Sequence, residues 1–105
     1  MNDLIQSILK PKQQEEHKIL VMEEEQHSFS LIVWNDDVNT FEWVIDTLME
    51  VCGHSEEQAE QCALVIHLQG KYAVKQGDYE TLKPMCNEIT KRGIGATIES
   101  ITVNR

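Results

Sequence analysis

Between Lys18 and Lys71 the sequence contains neither lysine nor arginine. Nine basic residues stand against eighteen acidic ones, a formal net charge of -9. Binding a nucleic-acid backbone requires a basic stripe that displaces counterions, so nucleic acid is not an expected partner. An acidic middle suits a cationic ligand, although for most of these acids solubility is reason enough. Long apolar runs are also missing. None approaches the ~20 residues that a membrane-spanning helix needs. The N-terminus shows no basic segment followed by an apolar core and a cleavage site, so neither a membrane nor a secretory route is expected, and the expected location is cytoplasmic. Cysteine is sparse and unpaired: Cys52, Cys62 and Cys86 are an odd number with no C-x-x-C. That pattern fits free, buried thiols in a reducing compartment. His17, His27, His54 and His67 do not combine with them at zinc-ligand spacings. No metal and no cofactor are expected.

What is present fits one domain, because 105 residues is a single-domain length. A chain of this size buries well over half of its unfolded surface. Residues 1–27 differ in composition from the rest, rich in Glu, Gln, Lys and His with a triple acid at Glu23, Glu24 and Glu25. They read as a mobile N-terminal tail, with a short helix possible before Pro11. Residues 28–105 read as the domain.

Phe29, Leu31 and Val33 alternate with Ser30, Ile32 and Trp34, the pattern of a strand covered on one face and partly on the other. Asn35-Asp36-Asp37 then turns the chain. A helix follows, with Asn39 as its cap and Glu42 as the returning arm of a capping box. Its apolar face is Phe41, Val44, Ile45, Leu48 and Cys52, and Gly53 ends it. A second helix opens with the box Ser55/Gln58, carries Ala59, Cys62, Ala63 and Ile66, and stops at Gly70. Residues 71–76 read as a strand and Gly77-Asp78 as a turn. The third helix carries Leu82, Met85, Cys86 and Ile89 and ends at Gly93. Pro84 places its start near 80–82, unless it kinks a longer helix. A last strand is expected over 95–103. The order β-α-α-β-α-β gives an α+β domain, a small three-stranded antiparallel sheet with three helices packed on it.

The richest polar cluster is Trp34-Asn35-Asp36-Asp37-Val38-Asn39 at a strand-to-helix junction. Such loops hold functional groups on a rigid frame, yet Asn and Asp are also ordinary turn and cap residues. A calcium loop is excluded: Asp37-x-Asn39-x-Phe41 has no ligand in its third slot and no glycine. Cys62 and His67 do not form a nucleophilic pair, being about 140° apart around a helix of 3.6 residues per turn. Gly70-Lys71 lacks the upstream glycine of a phosphate loop. No nucleophile–base pair is identifiable, so an enzyme is not expected.

Three separated motifs keep register: Asn35-Asp36-Asp37, then Phe41-Glu42-Trp43-Val44-Ile45 with Glu57-Gln58-Ala59, then Ile66-His67-x-x-Gly70-Lys71. Over roughly residues 29–101 they resemble the Clp protease adaptor family, ClpS. The resemblance implies an adaptor that binds the free N-terminus of proteins beginning with Leu, Phe, Tyr or Trp. Such a start is an N-degron, which the adaptor delivers to an AAA+ unfoldase of the ClpA or ClpC type. It implies that Asn35, Asp36 and His67 take the α-amine. It places the apolar side chain between the first two helices, against Phe41, Val44, Ala63 and Ile66, with Asp37, Asn39 and Thr47 as further wall or rim positions. Two departures stand out: Asn39-Thr40-Phe41 where the family often has Thr-Pro-Met, and Ala63 where it often has Met. The segment from Val74 to the third helix is also shorter than in many relatives. The alternative reading is the same fold docking on an unfoldase or another complex without degron recognition, its pocket closed by Phe41.

Overall fold

In the computed structural model, which describes residues 28–101, the order is β1 (Phe29–Trp34), α1 (Phe41–Cys52), α2 (Glu56–Gln69), β2 (Lys71–Gly77), α3 (Tyr79–Lys91) and β3 (Ala96–Ser100). The α+β order expected from the sequence is the one observed. The expected tail over 1–27 lies outside the described residues. β1 is the central strand, paired antiparallel with β2 on one side and β3 on the other. Its burial explains its near-continuous apolar composition: Leu31, Ile32 and Val33 are all buried. Leu31 and Val33 point to the helical side, where they meet Leu48 of α1, Ile66 of α2, and Leu82 and Ile89 of α3 in one cluster.

β1 and β2 slip register between Leu31 and Ile32: Leu31 pairs with Lys75 and Ile32 with Ala73, leaving Val74 as an extra residue. A bulge of this kind leaves a backbone group without its ladder partner. Here His54, in the α1–α2 connection, donates from Nε2 to the Val74 carbonyl at 2.9 Å. The bulge therefore fastens the helical hairpin to the sheet.

The helix starts obey local capping, with one change from expectation. Ser55 and Gln58 form the reciprocal capping box read from the sequence. At α1 the cap is Thr40 and not Asn39: Thr40 is extended, at φ -75 and ψ 159, and its hydroxyl accepts from the Trp43 N–H at 3.0 Å. Glu42 accordingly sits one position too early to close a box with the cap. Asn39 is withdrawn from capping because its amide is engaged elsewhere, as described below. The apolar face of α1 also divides. Leu48 and Cys52 are core, whereas Phe41 at the helix start is 42% exposed.

α3 begins at Tyr79, earlier than the 80–82 expected, because the Asp78 carboxylate caps it by accepting from the Thr81 N–H at 3.0 Å. Pro84 is thus the sixth residue of the helix, past the turn where a missing N–H costs nothing. Its ring leaves the Glu80 carbonyl without its i+4 donor. β3 runs from Ala96 to Ser100, and Ile101 adds one further bond to the Ser28 carbonyl at 2.7 Å. The expected continuation to 103 falls outside the described residues.

Pro84→Ala restores one helical hydrogen bond at an exposed position and removes the ring clash. It is expected to stabilise the domain by about 1–3 kcal/mol, the helix-interior penalty of proline less the entropy it removes from the unfolded chain. Urea unfolding should show a higher midpoint at unchanged slope. A lower midpoint would show that Pro84 is matched to its place in α3.

Candidate functional site

The start of the loop between β1 and α1 is held by two backbone bonds. The Trp34 N–H donates to the Gly95 carbonyl at 2.9 Å, and the Asn35 N–H donates to the Gly70 carbonyl at 2.9 Å. The second bond explains why residues far apart in sequence meet. α2 ends in a left-handed Gly70 at φ 93, a conformation that side chains resist. The chain then reverses into β2, where Lys71 pairs with Trp34. Asn35 is thereby set against the last turn of α2, which carries His67.

Inside the loop the Asp36 carboxylate is the organiser. Its Oδ1 accepts from the N–H groups of Val38 at 2.8 Å and Asn39 at 2.7 Å, and its Oδ2 accepts from the Asn39 side-chain amide at 2.7 Å. The same amide donates to the Gly93 carbonyl at 3.0 Å, tying the loop to the α3–β3 turn. The Asn39 backbone bond, then its side-chain bond, then the Val38 bond hold the Asp36 carboxyl below the usual carboxylate range. Hydrogen bonds to the ionised form favour that form. Asp36 is therefore a fixed negative charge at neutral pH.

Above this loop lies a cleft of about 480 Å³ between α1 and the C-terminal half of α2. Asn35, Asp36, Asp37 and His67 form its polar end. Phe41 and Val44 of α1 face Ala63 and Ile66 of α2 along its apolar part, and Asn39 and Thr40 complete the rim. Among the described residues, the Asn35 side-chain amide and the His67 ring have no protein hydrogen-bond partner. The cleft thus presents one stabilised carboxylate and two unengaged polar groups beside an apolar slot, an arrangement suited to a cation that carries an apolar side chain.

The structure brings together nine of the ten positions singled out from the sequence. Thr47 is the exception. It is fully buried and lies outside the cleft, with its hydroxyl facing the Arg92 guanidinium at 3.5 Å. Thr40, which the sequence reading passed over, lines the cleft as well as capping α1. Its signal was its place between Asn39 and Phe41.

Arg92 was also missed. Its guanidinium reaches Glu50 at 2.7 Å and Glu88 at 3.3 Å and lies over the Trp43 ring, while its carbonyl accepts from Trp43 Nε1 at 3.1 Å. It joins α1 to α3 behind the cleft. Two of the thiols are unsuited to nucleophilic chemistry: burial pushes Cys52 up to about 11 and raises Cys62 as well. Among the described residues no group of three His, Cys, Asp or Glu is placed to hold a metal ion. No helix among them is long and apolar enough to cross a membrane.

Removing the Asn39 amide should release Asp36. In Asn39→Ala the Asp36 carboxyl is expected to titrate higher than in wild type, moving toward ordinary carboxylate values, as read by carboxyl-carbon NMR. The sign follows from linkage: a carboxyl depressed in the folded state contributes stability above its unfolded pKa and loses it as pH falls through the folded one. The variant should therefore lose less stability than wild type on acidification below the usual carboxylate range. An unchanged Asp36 titration would show that the backbone donors alone hold the charge.

The family model for "ATP-dependent Clp protease adaptor protein ClpS" matches residues 24–97. The ClpS adapter protein of Corynebacterium diphtheriae is 26% identical over 96 residues, covering 91% of this chain and 85% of that protein. That of Mycobacterium tuberculosis is 31% identical over 68 residues, covering 65% and 67%. Among solved structures, Agrobacterium tumefaciens ClpS2 bound to L-phenylalaninamide superposes with a TM-score of 0.68 at 21% identity, over 71% of this chain and 98% of that one, a likeness of fold. The match of the family model to most of the chain, the named adapters and the shared β-α-α-β-α-β fold agree, and the chain belongs to the ClpS family of adaptors of the ATP-dependent Clp protease.

Proposed function

We propose that the cleft binds the free N-terminus of polypeptides that begin with a bulky apolar residue (Leu, Phe, Tyr or Trp), and that the chain hands them in the cytoplasm to an AAA+ unfoldase of the ClpA or ClpC type. The observation that carries this reading is the joining of a fixed carboxylate, an open amide and an open imidazole to an apolar slot within one cleft. An α-ammonium has donors and no acceptor, so it calls for oxygen and unprotonated nitrogen acceptors. L-phenylalaninamide, which the Agrobacterium protein holds, is an N-terminal phenylalanine in miniature: a free amine, an aromatic ring, and an amide where the next peptide bond begins.

Hydrogen bonds to a charged group contribute about 1.5–3 kcal/mol each, and burial of a Leu or Phe side chain about 1.5–3 kcal/mol more. After the costs of association this corresponds to roughly micromolar affinity. The departures at Phe41 and Ala63 reshape the slot. One side chain is larger and the other smaller than the family's usual Met, and Phe41 lines the cleft while leaving it open. That geometry favours recognition over the alternative in which the ring closes the pocket.

Fluorescence anisotropy with Leu- and Phe-initiated peptides tests the amine site. Because Asp36 stays ionised, the alkaline limb belongs to the ligand: affinity should fall about tenfold per pH unit above the α-amine pKa of roughly 7.7–8.0. Asp36→Ala should weaken binding by about tenfold to a hundredfold, the value of one charged hydrogen bond, and Asn35→Ala and His67→Ala by less. Acetylation of the peptide amine should cost at least as much as Asp36→Ala. Equal binding of the acetylated peptide overturns N-terminal recognition.

The slot is tested by Ala63→Met. Ala63 is only 3% exposed, so the longer side chain must enter the cleft or distort the wall. An overpacking cost of about 1–3 kcal/mol is expected, read as weaker binding of Phe- and Trp-initiated peptides with a smaller change for Leu. Unchanged affinity for all three would remove Ala63 from the slot.

A further inference from the structure

A second hollow of about 550 Å³ runs along the outer side of the α1–α2 hairpin and shares Phe41 with the cleft. Its floor is apolar: Phe41 is 42% and Leu64 49% exposed, and Ile45 is half-buried. Its walls carry Glu42 and Asp46 of α1 and Glu56 and Glu60 of α2. Exposed apolar surface framed by charge of one sign fits a partner that is apolar along its length and basic at its edge. Among the described residues no base is placed there. Arg92 answers Glu50 and Glu88, Lys91 lies at Glu88, Lys71 lies over the Trp34 ring, and Lys75 and Lys83 belong to β2 and α3.

The chain itself holds a segment of that chemistry. Residues 1–27, outside the described ones, contain two apolar islands with opposite flanks. Ile19-Leu20-Val21-Met22 is bracketed by Glu15 and Glu16 before it and by Glu23-Glu24-Glu25 after it, acids that the walls of the groove would repel. Leu4-Ile5 and Ile8-Leu9 are instead followed at once by Lys10 and Lys12, and Asp3 is the only acid among residues 1–12. These four apolar residues recur at the spacing of one helical face. Reach is sufficient. Residues 13–27 separate Lys12 from Ser28 and span up to about 50 Å when extended. β1 and α1, which lie between Ser28 and the groove, are each about 20 Å long. A tether of this length gives its end an effective concentration on the order of millimolar, so a contact too weak to hold a free peptide is still occupied.

We propose that residues 4–12 of this chain dock in the groove, with Ile8 and Leu9 on the Phe41, Ile45 and Leu64 floor and with Lys10 and Lys12 against the acids. The assignment does not depend on what the cleft binds. It gives the groove an occupant within its own molecule, chosen over the second island by charge. Because Phe41 is common to both hollows, the docked segment supports one wall of the cleft from outside. Drawing it away bares the groove and loosens that wall together.

Methyl and amide NMR on the full chain tests the docking. Nuclear Overhauser contacts are expected from the Ile8 and Leu9 methyls to those of Ile45 and Leu64, weakening as salt rises. Lys10→Glu/Lys12→Glu should abolish them and shift the Glu42, Asp46 and Glu60 amides. Adding Asp46→Lys/Glu60→Lys to that variant exchanges the signs and should bring the contacts back. Ile19→Ser/Leu20→Ser should leave them as in wild type. In a mixture of labelled and unlabelled copies they should stay within one molecule. The docking is overturned if the contacts are absent in wild type, if they come from residues 19–22 instead, or if they pass between copies. It is overturned equally if they survive reversal of the two lysines or if the exchanged variant fails to restore them.

Discussion

A single side-chain amide sets the geometry of the cleft. Asn39 donates one bond to Asp36 Oδ2 and another to the Gly93 carbonyl, so the loop after β1 is tied at once to its own carboxylate and to the turn before β3. Without the first bond Asp36 has only backbone donors; without the second the far side of the loop loses its tie to the α3–β3 turn, which then holds only the loop start through Trp34 on Gly95. The loop start is fixed independently by Asn35 on Gly70. Between them these contacts leave the loop little freedom, which is what a site reading a small ligand group requires, because ordering costs are then met during folding and not during binding.

Behind the loop, Arg92 plays the complementary part. An acidic protein with few cations uses this one at the meeting of α1 and α3, where it answers Glu50 and Glu88 and covers the Trp43 ring. Glu50 lies in the last turn of α1, where a negative charge opposes the helix dipole. The guanidinium offsets that charge. The placement also leaves the acids of the outer α1–α2 face without internal cations, so the negative field there is directed outward.

The parts of this structure that sequence displays are those whose partners lie close in the chain. The Ser55/Gln58 box, the Gly53 and Gly70 stops and the stripe from Ala59 to Ile66 all follow from spacing within a few residues. The positions whose surroundings differ from expectation have distant partners. Asn39 looks like a cap until Gly93, 54 residues away, is seen to share its amide. Thr47 falls at a plausible wall position, but Arg92, 45 residues on, faces its hydroxyl in the core. At α3 two local signals conflicted: Pro84 argued for a later start and Asp78 for an earlier one, and the cap prevailed. Phe41 shows a different ambiguity. Periodicity assigned it to an apolar face correctly but cannot say whether that face meets the core or an open cleft.

The bulge at Val74 bears on how these molecules behave toward one another. β2 is a sheet edge, and a straight edge with open carbonyls is a template for a strand from another chain. The irregularity breaks the even spacing that such a strand would need, His54 occupies the displaced carbonyl, and Lys71 and Lys75 put positive charge along the same border. The opposite edge, β3, is only five residues long. A sheet bordered in this way resists pairing with extended segments of other chains.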